Sequence, residues 1–458
     1  MTTLGKPLTY DSRKAVFQHI DVHTRTQLSH RCPSLRTLDS MFTIKIRNLH
    51  LQKSSFRIDS NTYTVGIIKR YINILTPYFV LIPNRGDGVP YDVDQYGTKL
   101  NPTELERDEN MVNMLQRQLN WRQHKAARKS SENSENQRKI RRIEEELRQI
   151  PIPYLKGTPL LEGPGKANLD LHHRNTYVCS TFQIYQLKRD GLPPPFNLYF
   201  QIMITPKEGT RRFEYVVYDR PLKQALDHIL LKTLGTERQI QIQNLRIGHY
   251  CDFLIRRALP TPYFPFNSQR MYVQNLLINS TAENALDIVR PVLTNTLKTF
   301  QVGNQIGMRN GFEDPIVCGA KLLKITGKAQ LAVLSNANNQ RVHLERCQYT
   351  DEEFNNLATN WRRYQNKIGM FYSIGFQWQG DAENLANKFK SLPNAYCGEN
   401  EETRCPGPRL AECAVLQLSD TSELNVWFEK TGGADIEYCA EPYIVKLKVV
   451  RKGYANEY

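Results

Sequence analysis

Apolar positions near the start of the chain recur at helical spacing. Residues 7–40, PLTYDSRKAVFQHIDVHTRTQLSHRCPSLRTLDS, place Val16, Phe17 and Ile20 on one face, then Leu28, then Leu35 and Leu38, with Pro33 between them. That spacing predicts two or three short helices. Asp11 or Ser12 stands where a side-chain oxygen can accept from the first free N–H groups of a helix. From Thr43 the period drops to two, through Ile44, Ile46, Leu49, Leu51, Phe56, Ile58, Tyr63, Val65 and Ile67, with Ser60-Asn61 as turn material. Alternation of this kind predicts a small antiparallel β unit. Gly86, Asp87, Gly88 and Pro90 then form a loop that leads into YDVDQYG at 91–97.

Residues 102–150 contain 11 Lys+Arg, 9 Asp+Glu and no Gly. Leu105, Val112 and Leu119 repeat every seven residues, and Ile140, Ile143, Leu147 and Ile150 continue a short a/d seam after SSENSEN at 130–136. The pattern predicts two charged helical stretches, read either as a solvated hairpin between domains or as a coiled-coil partner site. PIPYLKGTPLLEGPG at 151–165 reads as a linker.

Beyond it, NLYFQIMIT at 197–205 and Phe213 to Tyr218 predict a hairpin around KEGTR. A helix follows from Pro221, with Leu222, Leu226, Ile229, Leu230 and Leu234 on its apolar face and Gly235 as a left-handed terminus. IQIQNLRI at 240–247 and MYVQNLLI at 271–278 then align position for position, 31 residues apart, with AKLLKI at 320–325 as a looser copy. Two copies of one unit predict adjacent parallel strands with Leu245 matched to Leu276 and Ile247 to Ile278. Ile242, Leu245 and Ile247 cannot share a face of a regular strand, so a bend is expected near Asn244, whose side chain suits unpaired backbone there. Glu283 to Leu297 is expected as the crossover helix, and Thr350 with Glu353 as the capping box of a helix reaching Trp361. Further strands are expected around Val415–Leu418, Leu424–Phe428 and Tyr443–Val450. Strand and helix alternating every 30–45 residues predicts a leucine-rich-repeat-like α/β stack.

Composition narrows the setting. The 458 residues carry 61 Lys+Arg against 46 Asp+Glu, a formal charge of +15, which favours acidic partners. Apolar runs of about five residues fall far short of the roughly 20 that span a bilayer, so no membrane partner is expected. The N-terminus lacks the apolar core of a secretory signal, and a cytoplasmic or nuclear location is expected, with nine Cys as free thiols. Cys397, Cys405, Cys413 and Cys439 are separated by eight, eight and twenty-six residues, whereas structural zinc sites bring ligands in close pairs. Asp92 and Asp94 mimic the start of a calcium loop, but Tyr96 and Thr103 stand where further oxygen ligands belong, so capping aspartates are the expected role. His172-His173 reads as a surface pair. The easily seen phosphate-loop, nucleophile-elbow and zinc-protease motifs are absent from the sequence, and neither cofactor, metal nor catalytic residue is assigned. Basic runs at 125–129 and 139–142 alternate with Glu and read as solvated faces, with phosphate contact as the alternative.

The opening segment resembles an F-box. RCPSLRTLD (31–39), KIRNLHL (45–51) and YDVDQYG (91–97) are also similar to the uncharacterised domain at the front of many F-box-like proteins expanded in nematodes. LERCQYTDEEFNNLATNWRR (344–363) is similar to a segment of the domains that accompany them. Leu8-Thr9 stands where an F-box has Leu-Pro. The resemblance implies a non-enzymatic substrate-recognition subunit of a cullin ubiquitin ligase, docking on the ligase's adaptor subunit through Leu8, Val16, Phe17, Ile20, Leu28 and Leu35 and binding an unknown protein substrate. The same six residues equally fit an ordinary three-helix core. The expected architecture is α+β to α/β: an F-box-like helical head (1–42), a small antiparallel β unit (43–100), a charged helical linker or coiled-coil hairpin (101–150), a linker (151–196) and a repeat-like α/β domain (197–458). A basic nucleic-acid-binding protein and a protein self-associating through the helical arm are the alternatives.

Overall fold

The computed structural model describes residues 10–72, 84, 86–100, 184, 187–188, 191–235, 239–248, 271–279, 285–286, 289–303, 311–327, 331, 333–347, 349–364, 367–399, 413–454 and 456–457. The expected helical linker, the 151–165 segment, Leu8, His172-His173 and Cys405 lie outside them. Two compact units are present, residues 1–62 with 227–458, and residues 63–226.

The elements in chain order are α1 (Tyr10–His19), α2 (Val22–Arg31), α3 (Pro33–Ser40), β1 (Ile44–Leu51), β2 (Ser55–Ile58), β3 (Asn61–Tyr71), β4 (Phe196–Thr205), β5 (Arg212–Val217), α4 (Leu222–Leu234), β6 (Ile240–Ile247), β7 (Met271–Ile278), β8 (Thr299–Val302), β9 (Leu322–Ile325) and β10 (Arg341–Glu345). They continue with α5 (Asp351–Tyr364), β11 (Phe371–Phe376), α6 (Gln379–Lys390), β12 (Ala395–Glu399), β13 (Cys413–Gln417), β14 (Ser422–Lys430), β15 (Tyr443–Arg451) and β16 (Asn456–Glu457). Short helical turns lie at Pro315–Cys318, Val333–Asn336 and Gly433–Glu437.

The first unit is a mixed sheet. Its strands run in the order β16-β12-β13-β14-β15-β11-β10-β9-β8-β7-β6-β1-β2. From β1 through β6 to β11 neighbours are parallel, and antiparallel strands flank them on both sides. This corrects the expected helical head with a leucine-rich-repeat-like α/β domain: strands dominate, and the sheet is closed off by antiparallel pairs. The physical reason lies in the connections. The expected crossover helix, Glu283 to Leu297, contains Pro291, which has no N–H to donate and clashes with the preceding turn. The helix ends there, and Leu293 forms a bridge to Met271 instead. Asn295 then clasps Val273, its Oδ1 accepting from the Val273 N–H at 2.9 Å and its Nδ2 donating to the Val273 carbonyl at 2.8 Å. Among the described residues, the next two connections hold only short helical turns, Gly311–Glu313 and Pro315–Cys318 in the first and Val333–Asn336 in the second.

The two QNLxI segments, β6 and β7, are parallel neighbours, with Leu245 opposite Leu276 and Ile247 opposite Ile278, all buried. A further copy of the pattern, IKIRNLHL, forms β1, which pairs with β6 in the same register, Asn48 to Asn244 and Leu49 to Leu245. The alternation of residues 43–67 predicts a purely antiparallel setting for this strand. β1 is antiparallel only to β2. Part of the core is built by α5 and α6, where Trp361 meets Tyr372 of β11 and Phe389 packs on both Trp361 and Phe354. Trp361 stacks on Tyr372 at 5.1 Å between ring centroids and Phe354 meets Phe389 edge-on at 4.8 Å. Thr350 and Glu353 cap α5 reciprocally, at 3.2 Å and 2.9 Å.

In the helical segment, Asp21 caps α2 by accepting from the Thr24 N–H at 3.0 Å. Arg25 is buried in an ion pair with Asp39 and also donates to the carbonyls of Asp39 (2.7 Å) and Phe42 (3.0 Å), tying α2 to the end of α3. In the second unit β3, β4 and β5 are sheet neighbours in that order, β4 and β5 forming the expected hairpin.

Candidate functional site

Period-two alternation buries one face of β1, β6 and β7 and leaves the other open. On the open face Lys45, Gln241 and Tyr272 stand in one register row, all exposed. Arg47, Gln243 and Gln274 follow two residues on and are exposed as well. Neighbouring strands lie about 4.8 Å apart, so these side chains form a close array across three strands. At the next position the strands bend, and three asparagines form a ladder: Asn244 Nδ2 donates to Asn48 Oδ1 at 3.0 Å, and Asn275 Nδ2 to Asn244 Oδ1 at 2.9 Å. The ladder's outer end is held by Asp59, in the left-handed region at φ 50°, whose Oδ1 accepts from the N–H groups of Arg47 (2.9 Å) and Asn48 (2.8 Å). Beyond the bend Arg57, His50 and Arg246 form a basic row. Burial lowers the His50 pKa and the two guanidinium charges lower it further, so the ring is neutral at pH 7.

Farther along the same sheet, residues 435–441 cover a dense polar cluster. The Lys324 ammonium meets Glu345 Oε1 at 2.8 Å, and the Ala440 N–H donates to the same oxygen at 3.1 Å. The His343 Nδ1 is 2.9 Å from Ser373 Oγ, and its ring lies edge-on to Tyr438. Asp435 accepts from the Tyr438 hydroxyl at 2.5 Å and pairs with Lys446 at 2.8 Å. Burial pushes Glu345 upward, but the His343 ring, Lys324 and the Ala440 amide outweigh it and hold the carboxyl down to about 2. Desolvation lowers the His343 pKa and keeps the ring neutral. Ser, His and Glu in series resemble a hydrolytic relay in composition, yet Ser373 and His343 are fully enclosed, with no approach for a substrate carbonyl. A Cβ on Gly375 would lie 3.2 Å from both Cys439 Sγ and Glu441, so the covering segment packs down to backbone contact. The cluster is a clamp that fixes 435–441 on the sheet.

In the second unit both aspartates of YDVDQYG are engaged by their own surroundings. Asp94 Oδ1 accepts from the N–H groups of Tyr96 (3.0 Å) and Thr98 (2.9 Å), while Oδ2 takes the Thr98 hydroxyl (2.6 Å) and Lys188 (3.0 Å). Asp92 accepts from the Tyr218 hydroxyl at 3.1 Å and caps α4 at Leu222. Burial and the Asp92 charge push Tyr218 up to about 12. A cleft of about 1010 Å3 opens beside Asp92, Tyr199, Tyr218 and Arg220, but its carboxylates are already paired, Asp219 with Arg220 among them.

The residues expected to dock an adaptor are divided by the fold. Phe17 is buried, Val16 is exposed, and Ile20, Leu28 and Leu35 are half-buried. Cys413 and Cys439 belong to separate apolar clusters and Cys397 is exposed. Burial pushes the Cys347 and Cys413 thiols up to about 12, which leaves them un-ionised. The asparagine ladder went unrecognised in the sequence because β1 lies nearly two hundred residues before its partner. Its signal was the shared I-x-I-x-N-L spacing of 44–49 and 240–245.

Among known proteins, a family described as a domain of unknown function (DUF3557) matches residues 221–377, a stretch that holds β6 through β11. No curated protein and no solved structure matches the chain.

Proposed function

We propose that the chain is a non-enzymatic protein-binding adaptor that presents the open face of β1, β6 and β7 to an acidic partner segment, in the manner of a substrate-recognition subunit of a cullin ubiquitin ligase. The observation that carries this reading is the exposed array of Lys45, Arg47, Gln241, Gln243 and Gln274 on three strands in register. Cations and amides at strand spacing suit the carboxylates and backbone of an extended polypeptide. Base stacking by contrast needs a run of aromatic rings, and Tyr272 is the one aromatic residue on these three strands. Among the described residues of the first unit, the Ser373, His343 and Glu345 cluster is enclosed, which favours recognition over turnover there.

The ligase part rests on the resemblance of residues 7–40. Affinity purification of the tagged full-length chain, with the proteasome blocked, tests it. The cullin adaptor subunit is expected in the wild-type eluate and not with Leu8→Asp combined with Leu28→Asp, which would bury unpaired charge at the contact. An eluate without the adaptor from the wild-type protein would remove the ligase from the account.

A further inference from the structure

β5 is the outer strand of the second unit's sheet, and among the described residues no strand pairs with its outer edge. Phe213, Tyr215, Val216 and Val217 are between 43% and 61% exposed. The strand contains no proline that would blunt it as a pairing edge. The direction of its free backbone groups follows from the hairpin. The Tyr218 N–H donates to the Leu198 carbonyl at 3.1 Å, and Val217 stands opposite Tyr199. Backbone groups alternate in direction along an antiparallel strand. Tyr218, Val216, Glu214 and Arg212 therefore turn theirs toward β4, whereas Phe213, Tyr215 and Val217 direct theirs to the open edge.

We propose that this edge pairs antiparallel with β5 of a second copy of the chain, about a two-fold axis through Tyr215. Only outward-directed residues can share ladder bonds, so the axis must pass through a residue that keeps odd positions opposite odd ones. Centred on Tyr215, the pairing sets Phe213 against Val217 twice and Tyr215 against its counterpart, the aromatic and β-branched combinations that stabilise cross-strand neighbours. It also brings Arg211 opposite Asp219 of the other copy at both ends, where the exposed Asp219 would take a second cation beside its own Arg220. Centring on Glu214 would oppose two carboxylates directly and is disfavoured. A two-fold pairing of this kind uses up the edge on both copies and closes at two.

Sedimentation equilibrium of the full chain at micromolar concentration tests the pairing. The wild-type protein is expected at twice 53.2 kDa. Tyr215→Pro removes only an outward N–H and leaves the hairpin's own ladder intact, so it is expected to give monomer with an unchanged circular dichroism spectrum. Arg211→Asp alone is expected to weaken the dimer at least tenfold, and adding Asp219→Arg to restore it, an outcome that misfolding does not produce. A monomeric wild type, or a dimer that survives Tyr215→Pro and is insensitive to the charge swap, would overturn the proposal.

Discussion

Asn48, Asn244 and Asn275 each stand where a parallel strand leaves period two, and their side-chain amides bond one another across the three strands. Asn244 is the middle rung, donating to one side and accepting from the other. Asn244→Ala removes both bonds and leaves an acceptor and a donor on flanking rungs that water reaches in part, so a loss of roughly 0.5–1.5 kcal/mol is expected in chemical denaturation. A loss below about 0.5 kcal/mol would mean that the rungs are independent. Glu345 is a second residue on which stability turns. Replacing it by Gln removes the charge partner of the half-buried Lys324, with an expected cost of roughly 1.5–3 kcal/mol at pH 7. Its lowered pKa also fixes a pH dependence. A carboxyl depressed from 4.5 to about 2 contributes stability that is full above 4.5 and lost as pH falls toward 2. The neutral, enclosed His343 adds to the same side, since protonation is disfavoured in the folded state and stability begins to fall below its ordinary 6.5. Denaturant midpoints followed from pH 7 to pH 2 should decline throughout this range. Other lowered carboxyls such as Asp94 and Asp435 keep a residual decline, so the Glu345→Gln protein should fall less steeply than wild type below pH 4.5, and an equal decline there would refute the assignment.

At the level of elements, the pairing of β6 with β7 was legible because one residue pattern recurs with its bend in the same place. Leu276 is wholly enclosed between Leu245 and Phe300 in the ladder. Leu276→Ala is expected to cost about 2–5 kcal/mol, and a measured loss under ~1 kcal/mol would show that the site collapses around the cavity. The hairpin β4–β5, the helix ended by Gly235 and the Thr350/Glu353 cap were equally legible, since each depends on residues a few positions apart. The crossover helix was not. Apolar spacing across 283–297 is helical, and Pro291 overrides it locally, turning the second half into a bridge and an asparagine clasp. The parallel place of β1 was hidden for a different reason: alternation fixes which face a strand buries but not which strand lies beside it. The clamp of Lys324, His343, Glu345 and Ser373 was hidden likewise, because its members come from three strands and meet only through sheet order.

For the molecule as a whole, a formal charge of +15 favours acidic partners on electrostatic grounds, and the proposed function places such a partner on the open face of β1, β6 and β7. Lys45 and Arg47 are surface residues on β1, so reversing them leaves the core beneath intact. The account's central claim is that this face binds protein. Its most direct test is purification of the tagged full-length chain and of its Lys45→Glu, Arg47→Glu variant from the same cells, each with and without nuclease. Protein partners that survive nuclease with the wild type and are lost with the variant are the predicted result. Partners retained equally by both, or bound material that disappears with nuclease, would contradict it.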